Sequence, residues 1–218
     1  MTLHYDLYWS FRSPYSYFVT PRLLELGRDY DVICHVRPVY PLAIRKPEFF
    51  ANRDALWPGY FRLDTIRAAE FAGLSYSWPM PDPVQSNPET KQYLPLAEQP
   101  YIQRLTRLGA AAAERGDALP FLRQISHLIW SGEVSGWDQG THLAEAAKRA
   151  GFDLAELDAA IEAAPETYEA VIEKNQIAQR EAGHWGVPLM VFDGEPFFGQ
   201  DRFLELKWRL GQKGLQKR

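Results

Sequence analysis

The sequence predicts an α/β fold in which a long helical segment interrupts a small domain that contains a sheet. Short strand-like runs lie near the two ends of the chain, at residues 3–9, 31–38 and 187–198. Between them, residues 100–182 carry one-sided apolar stripes at helical spacing, each ended by glycine or proline. The composition, with 46% hydrophobic and 24% charged residues, is that of a folded globular protein.

The N-terminal unit is predicted to be strand, helix, strand. A strand at residues 3–9 leads into a helix that has Ser13 at its N-cap and Pro14 at its first position, and that ends near Gly27. Residues 31–38 form a second strand, parallel to the first because a helix connects the two. The first N–H groups of such a helix are unpaired, so an anion beside Ser13 would be stabilised by the hydroxyl and the helix end together.

The segment after the second strand is less regular. Residues 38–57 are predicted to form a loop, and residues 59–71 a helix. Within the loop, Asn52 and Arg53 suit a helix cap and an arginine salt bridge on local grounds. Residues 74–99 form either a wall of a substrate cleft or a covering loop that binds nothing. This stretch is rich in prolines and aromatic residues: Pro79, Pro81, Pro83, Pro88 and Pro95, with Tyr76, Trp78 and Tyr93.

The strand pattern resumes after the helices. Residues 187–192 are predicted to form a strand, and Asp193-Gly194 signals a hairpin turn before a return strand at residues 195–198. A final helix over residues 203–210 follows, and Asp201 is placed to cap it.

Composition excludes several classes of function. The net charge of −4, without a basic stripe, argues against nucleic-acid binding. The single cysteine, Cys34, permits neither an intramolecular disulfide nor a multi-thiolate metal site, and it is expected to be a buried core thiol. The histidines lack metal-ligand spacing, so we expect no metal. We also expect a cytoplasmic protein that does not contact membranes, because the sequence has neither a signal-peptide pattern nor a membrane-spanning apolar run.

The four residues that open the first helix carry a family resemblance. Thioredoxin-fold oxidoreductases have Cys-Pro-x-Cys at a turn of this kind, where the present chain has Ser13-Pro14-Tyr15-Ser16. A hydroxyl cannot exchange with a disulfide, which excludes thiol redox chemistry at this turn. The run Ser-Pro-Tyr-Ser-Tyr resembles the 2-hydroxychromene-2-carboxylate isomerases and the kappa-class glutathione transferases. The resemblance implies a thioredoxin fold (βαβ…ββα) interrupted by an all-helical inserted domain, as in DsbA-like proteins, with glutathione as the cofactor.

On this resemblance, residues 1–57 and 183–218 form the thioredoxin-like domain and residues 58–182 the helical insertion. Asn52 and Arg53 match an Asn-Arg pair that contacts the glutathione backbone in the isomerase family. Gly186-Val187-Pro188-Leu189 is similar to the cis-proline loop that faces the active turn, where the main chain of Val187 would pair with the cysteinyl segment. Judged locally, Pro188 could equally be a trans proline that starts an edge strand.

A last matching segment precedes the final helix. Gly199, Gln200 and Asp201 resemble a family run that holds the γ-glutamyl end of glutathione. The family has asparagine where this chain has Gln200, so a backbone contact is expected there more than a side-chain contact. On local grounds alone, Asp201 would be a simple N-cap.

The resemblance implies a glutathione-dependent isomerase of an unsaturated aromatic keto acid. Ser13 would be its catalytic residue, as a stabiliser of the glutathione thiolate that adds reversibly to the substrate. A kappa-class-like glutathione transferase and a non-catalytic module that binds glutathione or a peptide remain alternatives. His184 and Trp185 could line the substrate pocket, although a catalytic role for His184 is the less favoured interpretation. A homodimer is possible on the basis of the family and an aromatic-rich surface.

Overall fold

The computed structural model describes residues 2–87 and 94–218, so Pro88 and Tyr93 of the proline-rich stretch lie outside the described residues. Its sheet has the strand order β2-β1-β3-β4. Parallel pairing joins β1 to β2, and antiparallel pairing joins β1 to β3 and β3 to β4. The strands are β1 (Leu3–Trp9), β2 (Val32–Pro38), β3 (Leu189–Phe192) and β4 (Glu195–Phe198).

Ten α-helices are found among the described residues, and eight of them, α2 to α9, lie between β2 and β3 in the chain. A single 3₁₀ turn at Gln200–Arg202 precedes the last helix. The helices are α1 (Pro14–Asp29), α2 (Leu42–Arg45), α3 (Pro47–Ala51), α4 (Trp57–Ala72), α5 (Pro100–Glu114), α6 (Leu119–Trp130), α7 (His142–Arg149), α8 (Leu154–Ala163), α9 (Pro165–Glu181) and α10 (Phe203–Gln212). None of the helices in the described part of the chain is long and apolar enough to cross a membrane.

The structure corrects three details of the predicted elements. Residues 38–57 are not wholly a loop, because they contain the short helices α2 and α3, the second with Pro47 at its start. Helix α1 continues past Gly27 to Asp29. Asp201 does not cap α10: it lies inside the 3₁₀ turn, which moves the helix start to Phe203, and the residue before that start makes no side-chain cap bond.

The core joins the sheet directly to the inserted helices. Trp9 at the end of β1 and Phe11 beyond it are fully buried, and their rings meet edge to face at 4.7 Å. From α6, the buried indole of Trp130 donates a hydrogen bond to the carbonyl of Phe11 at 2.9 Å. The segment that leads to Ser13 is therefore fixed from both sides, by the sheet and by the helical insertion.

Candidate functional site

Ser13 caps the first helix, as predicted. Its backbone is extended (φ −124°, ψ 113°), and its Oγ accepts the backbone N–H of Ser16 at 3.2 Å. The N–H of Ser13 donates to the carbonyl of Ser10, also at 3.2 Å. Ser13 is 7% exposed, so its hydroxyl lies in a largely desolvated position at the positive end of the helix dipole.

The proline loop lies at the same end of the sheet as Ser13. Leu189 pairs with Tyr8, which puts Pro188 beside Trp9, the last residue of β1. The Val187–Pro188 peptide bond is cis, as expected from the resemblance. The carbonyl of Pro188 accepts the N–H of Gly199 at 2.9 Å, so the segment at Gly199 is tied to the same loop.

The structure places Asn52 and Arg53 together in one pocket. Both line a pocket of about 460 Å³ that also includes Phe49 and Trp57 but not Ser13. Arg53 is held by a bond from its guanidinium to the carbonyl of Phe50 at 3.0 Å, and it faces the Trp57 ring. This pocket reaches the proline loop through aromatic contact, because the ring of Phe49 is 5.3 Å from the ring of Trp185.

Arg45 helps to hold the proline loop in place, a role that its sequence context does not indicate. Its guanidinium donates to the carbonyls of Tyr40 (2.7 Å) and Trp185 (2.8 Å) and to the side chain of Gln179 (3.1 Å). Burial, and then the charge of Arg180, lowers the pKa of Arg45 to about 10. Gln179 in turn donates to the carbonyl of Gly186 at 2.6 Å. Two side chains from distant helices thus fix the peptide groups just before the cis proline.

Aromatic side chains pack beside the turn formed by residues 13–16. We call Tyr15, Trp57, Phe61 and Trp78 the aromatic rim, because Phe61 stacks on Trp57 at 4.7 Å and contacts Tyr15 and Trp78 at 5.9 and 6.3 Å. Burial, followed by a hydrogen bond to Asp64, raises the pKa of Tyr15, so its phenol stays protonated.

The proline-rich stretch packs against this turn. Arg12, next to Ser13, forms a two-point ion pair with Asp82, with Nη2 and Oδ2 at 2.7 Å. The guanidinium also lies 4.4 Å from the ring of Trp78. Trp78 and Asp82 therefore border the turn, as a wall of a substrate cleft would.

His184 has a structural arrangement in this conformation. Its Nδ1 accepts the N–H of Gly186 at 2.9 Å, and its ring stacks on Phe198 at 3.8 Å and on Trp185 at 5.1 Å. Burial lowers the pKa of His184, which favours the neutral imidazole. Nδ1 is the acceptor, so the ring proton of the neutral form lies on Nε2.

The side chain of Gln200 is already engaged. Arg22 donates to its carbonyl oxygen at 2.6 Å and to its Oε1. Asp201 is exposed and lies 3.7 Å from the guanidinium of Arg202. Arg22 therefore occupies both oxygen atoms of Gln200, that of the backbone and that of the side chain.

Cys34 lies in a different cavity from Asn52 and Arg53. It borders a cavity of about 880 Å³ between β2, α1, α5 and α9, and it is partly exposed rather than buried in the core as predicted. The departure arises because β2 is an edge strand and the surrounding helices do not close over its middle. Desolvation still raises the pKa of this thiol to about 12.

We expect Cys34 to react slowly with iodoacetamide. At pH 8, a thiol with a pKa of about 12 is thiolate in roughly one molecule in 10⁴, against about a fifth for an ordinary cysteine. Alkylation followed by mass spectrometry should therefore be about 1,000-fold slower in the native protein than in protein unfolded by urea. Equal rates in the two states would contradict this description of the thiol.

The sequence model of the DsbA-like thioredoxin domain matches residues 5–211. The chain belongs to this family. The predicted DsbA-like fold, with its α/β sheet and helical insertion, is thereby confirmed. A search of curated protein sequences gave no significant match.

Solved structures with the same fold carry different activities in their names. A 2-hydroxychromene-2-carboxylate isomerase has a TM-score of 0.70 and 21% identity, over 96% of this chain and 95% of that one. A probable DsbA oxidoreductase from Streptomyces coelicolor has a TM-score of 0.65 and 18% identity, over 96% and 89%. The cytosolic disulfide reductase DsbM from Pseudomonas aeruginosa, also solved with GSH, has a TM-score of 0.57 and 15% identity, over 95% and 100%. At these identities the likeness establishes the fold alone.

Proposed function

We propose that this protein is a glutathione-dependent isomerase that acts on an unsaturated aromatic keto acid by reversible thiolate addition. One observation carries the proposal. Serines occupy both positions of the family's cysteine pair, and Ser13 caps α1 at the sheet end where the cis-Pro188 loop lies. Such a site cannot run a thiol–disulfide cycle of its own, but it can stabilise a sulfur anion that a small thiol brings.

Backbone and side-chain groups around the turn are suited to glutathione. The main chain of Val187, before the cis Pro188, would pair with the cysteinyl segment as a short added strand. Gly199, Gln200 and Asp201 would take the γ-glutamyl end, mainly through the backbone N–H groups of Gln200 and Asp201, because the N–H of Gly199 is bonded to Pro188. Asn52 and Arg53 would contact the rest of the peptide across the pocket they line. The structure of DsbM with GSH shows that one protein of this fold was solved with that thiol.

Ser13 is the catalytic residue in this proposal. A free thiol with a pKa of about 8.5 is only a few per cent ionised at neutral pH, and each pKa unit of depression corresponds to about 1.4 kcal/mol in favour of the anion. The Ser13 hydroxyl, which already accepts one bond from the Ser16 N–H, keeps its own proton to donate to sulfur. The helix dipole adds to this stabilisation.

The reaction needs no oxidant or reductant. The thiolate adds to the β-carbon of the conjugated double bond, and the electron pair moves onto the carbonyl oxygen as an enolate. The former double bond is now single and rotates. When the enolate collapses, the carbon–sulfur bond breaks, and both the isomer and the thiolate are released. Planar, apolar side chains in the aromatic rim suit an aromatic acceptor, which would lie between the rim and Ser13.

A thermal-shift titration with reduced glutathione tests binding. Ligand at 100 times its dissociation constant is expected to stabilise the protein by about 2.7 kcal/mol. The matched control is γ-glutamyl-alanyl-glycine, which has the same backbone but no sulfur, and which should bind more weakly because it cannot place an anion at Ser13. No saturable shift with glutathione would contradict the proposal.

A turnover experiment separates the three functional hypotheses. An isomerase converts an α,β-unsaturated aromatic keto acid while the concentration of free glutathione stays constant. A transferase consumes one glutathione for each acceptor, and a binding module does neither. Acceptor absorbance and free thiol, followed together, therefore distinguish the isomerase from both alternatives.

A further inference from the structure

Ser16 carries a buried hydroxyl without a hydrogen-bond partner among the described residues. The residue is fully buried, and its other polar groups are all engaged. Its N–H donates to Ser13 Oγ, and its carbonyl accepts bonds from the indole of Trp9 at 3.1 Å and from the hydroxyl of Thr20 at 2.6 Å. A buried hydroxyl left unpaired costs free energy, so the presence of one beside a candidate site calls for a functional explanation.

Helix geometry indicates where this hydroxyl points. Side chains in a helix lean towards its N-terminus, and the third residue after an N-cap is the one whose side chain reaches back to the cap in a capping box. Ser16 holds that third position relative to Ser13. The backbone groups of Ser13 already have partners: its carbonyl accepts the N–H of Tyr17 at 3.2 Å, and its N–H donates to the carbonyl of Ser10 at 3.2 Å.

We propose that Ser16 is a positioning residue that makes Ser13 a hydrogen-bond donor towards the sulfur of bound glutathione. The Oγ of Ser13 has two lone pairs, and the N–H of Ser16 takes one of them. Rotation of the Ser16 side chain towards the cap would let its hydroxyl donate to the second lone pair. With both lone pairs filled, the only remaining role of the Ser13 hydroxyl is to donate its proton outward, to the anion. This inference rests on the proposed function.

The proposal also explains why a hydroxyl suits this position. In Cys-Pro-x-Cys turns the second cysteine attacks the first during disulfide exchange. Here the equivalent side chain has no exchange to perform, and its contribution is directional: it orients its neighbour without touching the substrate.

The test is Ser16→Ala, with the ionisation of bound glutathione followed by thiolate absorbance at 240 nm as a function of pH. We expect the pKa of the bound thiol to rise by about one unit, a tenfold loss of thiolate below that pKa. Resistance to urea should stay the same or increase, because the variant removes an unpaired buried hydroxyl. A merely structural Ser16 would give the reverse pattern, with lower stability and an unchanged thiol pKa.

Two comparisons make the outcome decisive. Ser126→Ala removes another fully buried serine hydroxyl, one that bonds the carbonyl of Arg123 in α6, and it should lower stability without changing the thiol pKa. The wild-type titration tests the proposed function separately. If wild type lowers the thiol pKa and Ser16→Ala lowers it equally, the role of Ser16 is refuted and the proposed function stands. If wild type binds no glutathione, the proposed function itself fails.

Discussion

Replacing Ser13 with alanine is expected to reduce glutathione-dependent turnover about 100-fold. The variant removes the side-chain donor that the proposal places against the sulfur, and loss of a single donor to a developing or bound anion typically costs 10²–10³ in rate. It also removes the helix cap, because the Ser16 N–H loses its acceptor, which lowers the free energy of unfolding by about 1 kcal/mol. The measurements are kcat with saturating glutathione and acceptor, and urea unfolding.

Asp153→Ala is the matched control for the lost cap. Asp153 caps α8 in the same manner, accepting the N–H groups of Ala155 and Glu156, but it lies in the helical insertion. We expect it to lose about as much stability as Ser13→Ala while keeping full turnover. A Ser13→Ala enzyme as active as wild type would remove Ser13 from the mechanism.

Gly186→Ala is expected to disable the proline loop. A β-carbon at this position would collide with the ring of Phe198 and lie 3.0 Å from Cε1 of His184. These two rings are stacked on each other, so relieving the collision requires a shift of the loop that precedes Val187 and Pro188. Overpacking of this kind costs about 1–3 kcal/mol of stability. Because the displaced peptide groups are those proposed to pair with glutathione, we expect affinity to fall about tenfold or more.

Gly27→Ala provides the comparison. Gly27 lies inside α1, where a β-carbon would meet nothing within 4 Å, and alanine is the better helix former by about 1 kcal/mol. This variant should be slightly more stable than wild type and should bind glutathione unchanged. Titration calorimetry and urea unfolding on both variants give the two quantities. Wild-type affinity in Gly186→Ala would mean that the loop does not contact the ligand.

The strands, the Ser13 N-cap and the turn that opens α1 could be predicted from the sequence, because they depend on residues close together in the chain. Ser13 and Pro14 adopt the roles that their residue types favour at a helix start, and these roles depend on no distant partner. Pro188 needed the family resemblance, since nothing local distinguishes a cis from a trans proline. Its cis bond was therefore predicted by position alone.

Residues whose partners are remote in sequence could not be found in this way. Arg45 holds the proline loop through bonds to Gln179 and Trp185, which lie more than a hundred positions away in the chain. Its neighbours in sequence give no indication of these bonds. The pairing of Arg12 with Asp82 depends likewise on how the proline-rich stretch folds back onto the turn. Asp201 was misplaced because cap preference does not distinguish the start of a 3₁₀ turn from the start of a helix.

The order of the strands affects how the chain folds while it is synthesised on the ribosome. β1 is synthesised first and pairs on one edge with β2, but its other neighbour, β3, begins only at Leu189. Throughout translation of the helices, therefore, the earliest strand presents an open edge to whatever surrounds the nascent chain. The glutathione site proposed here comes into existence only when the last strands emerge and close that edge.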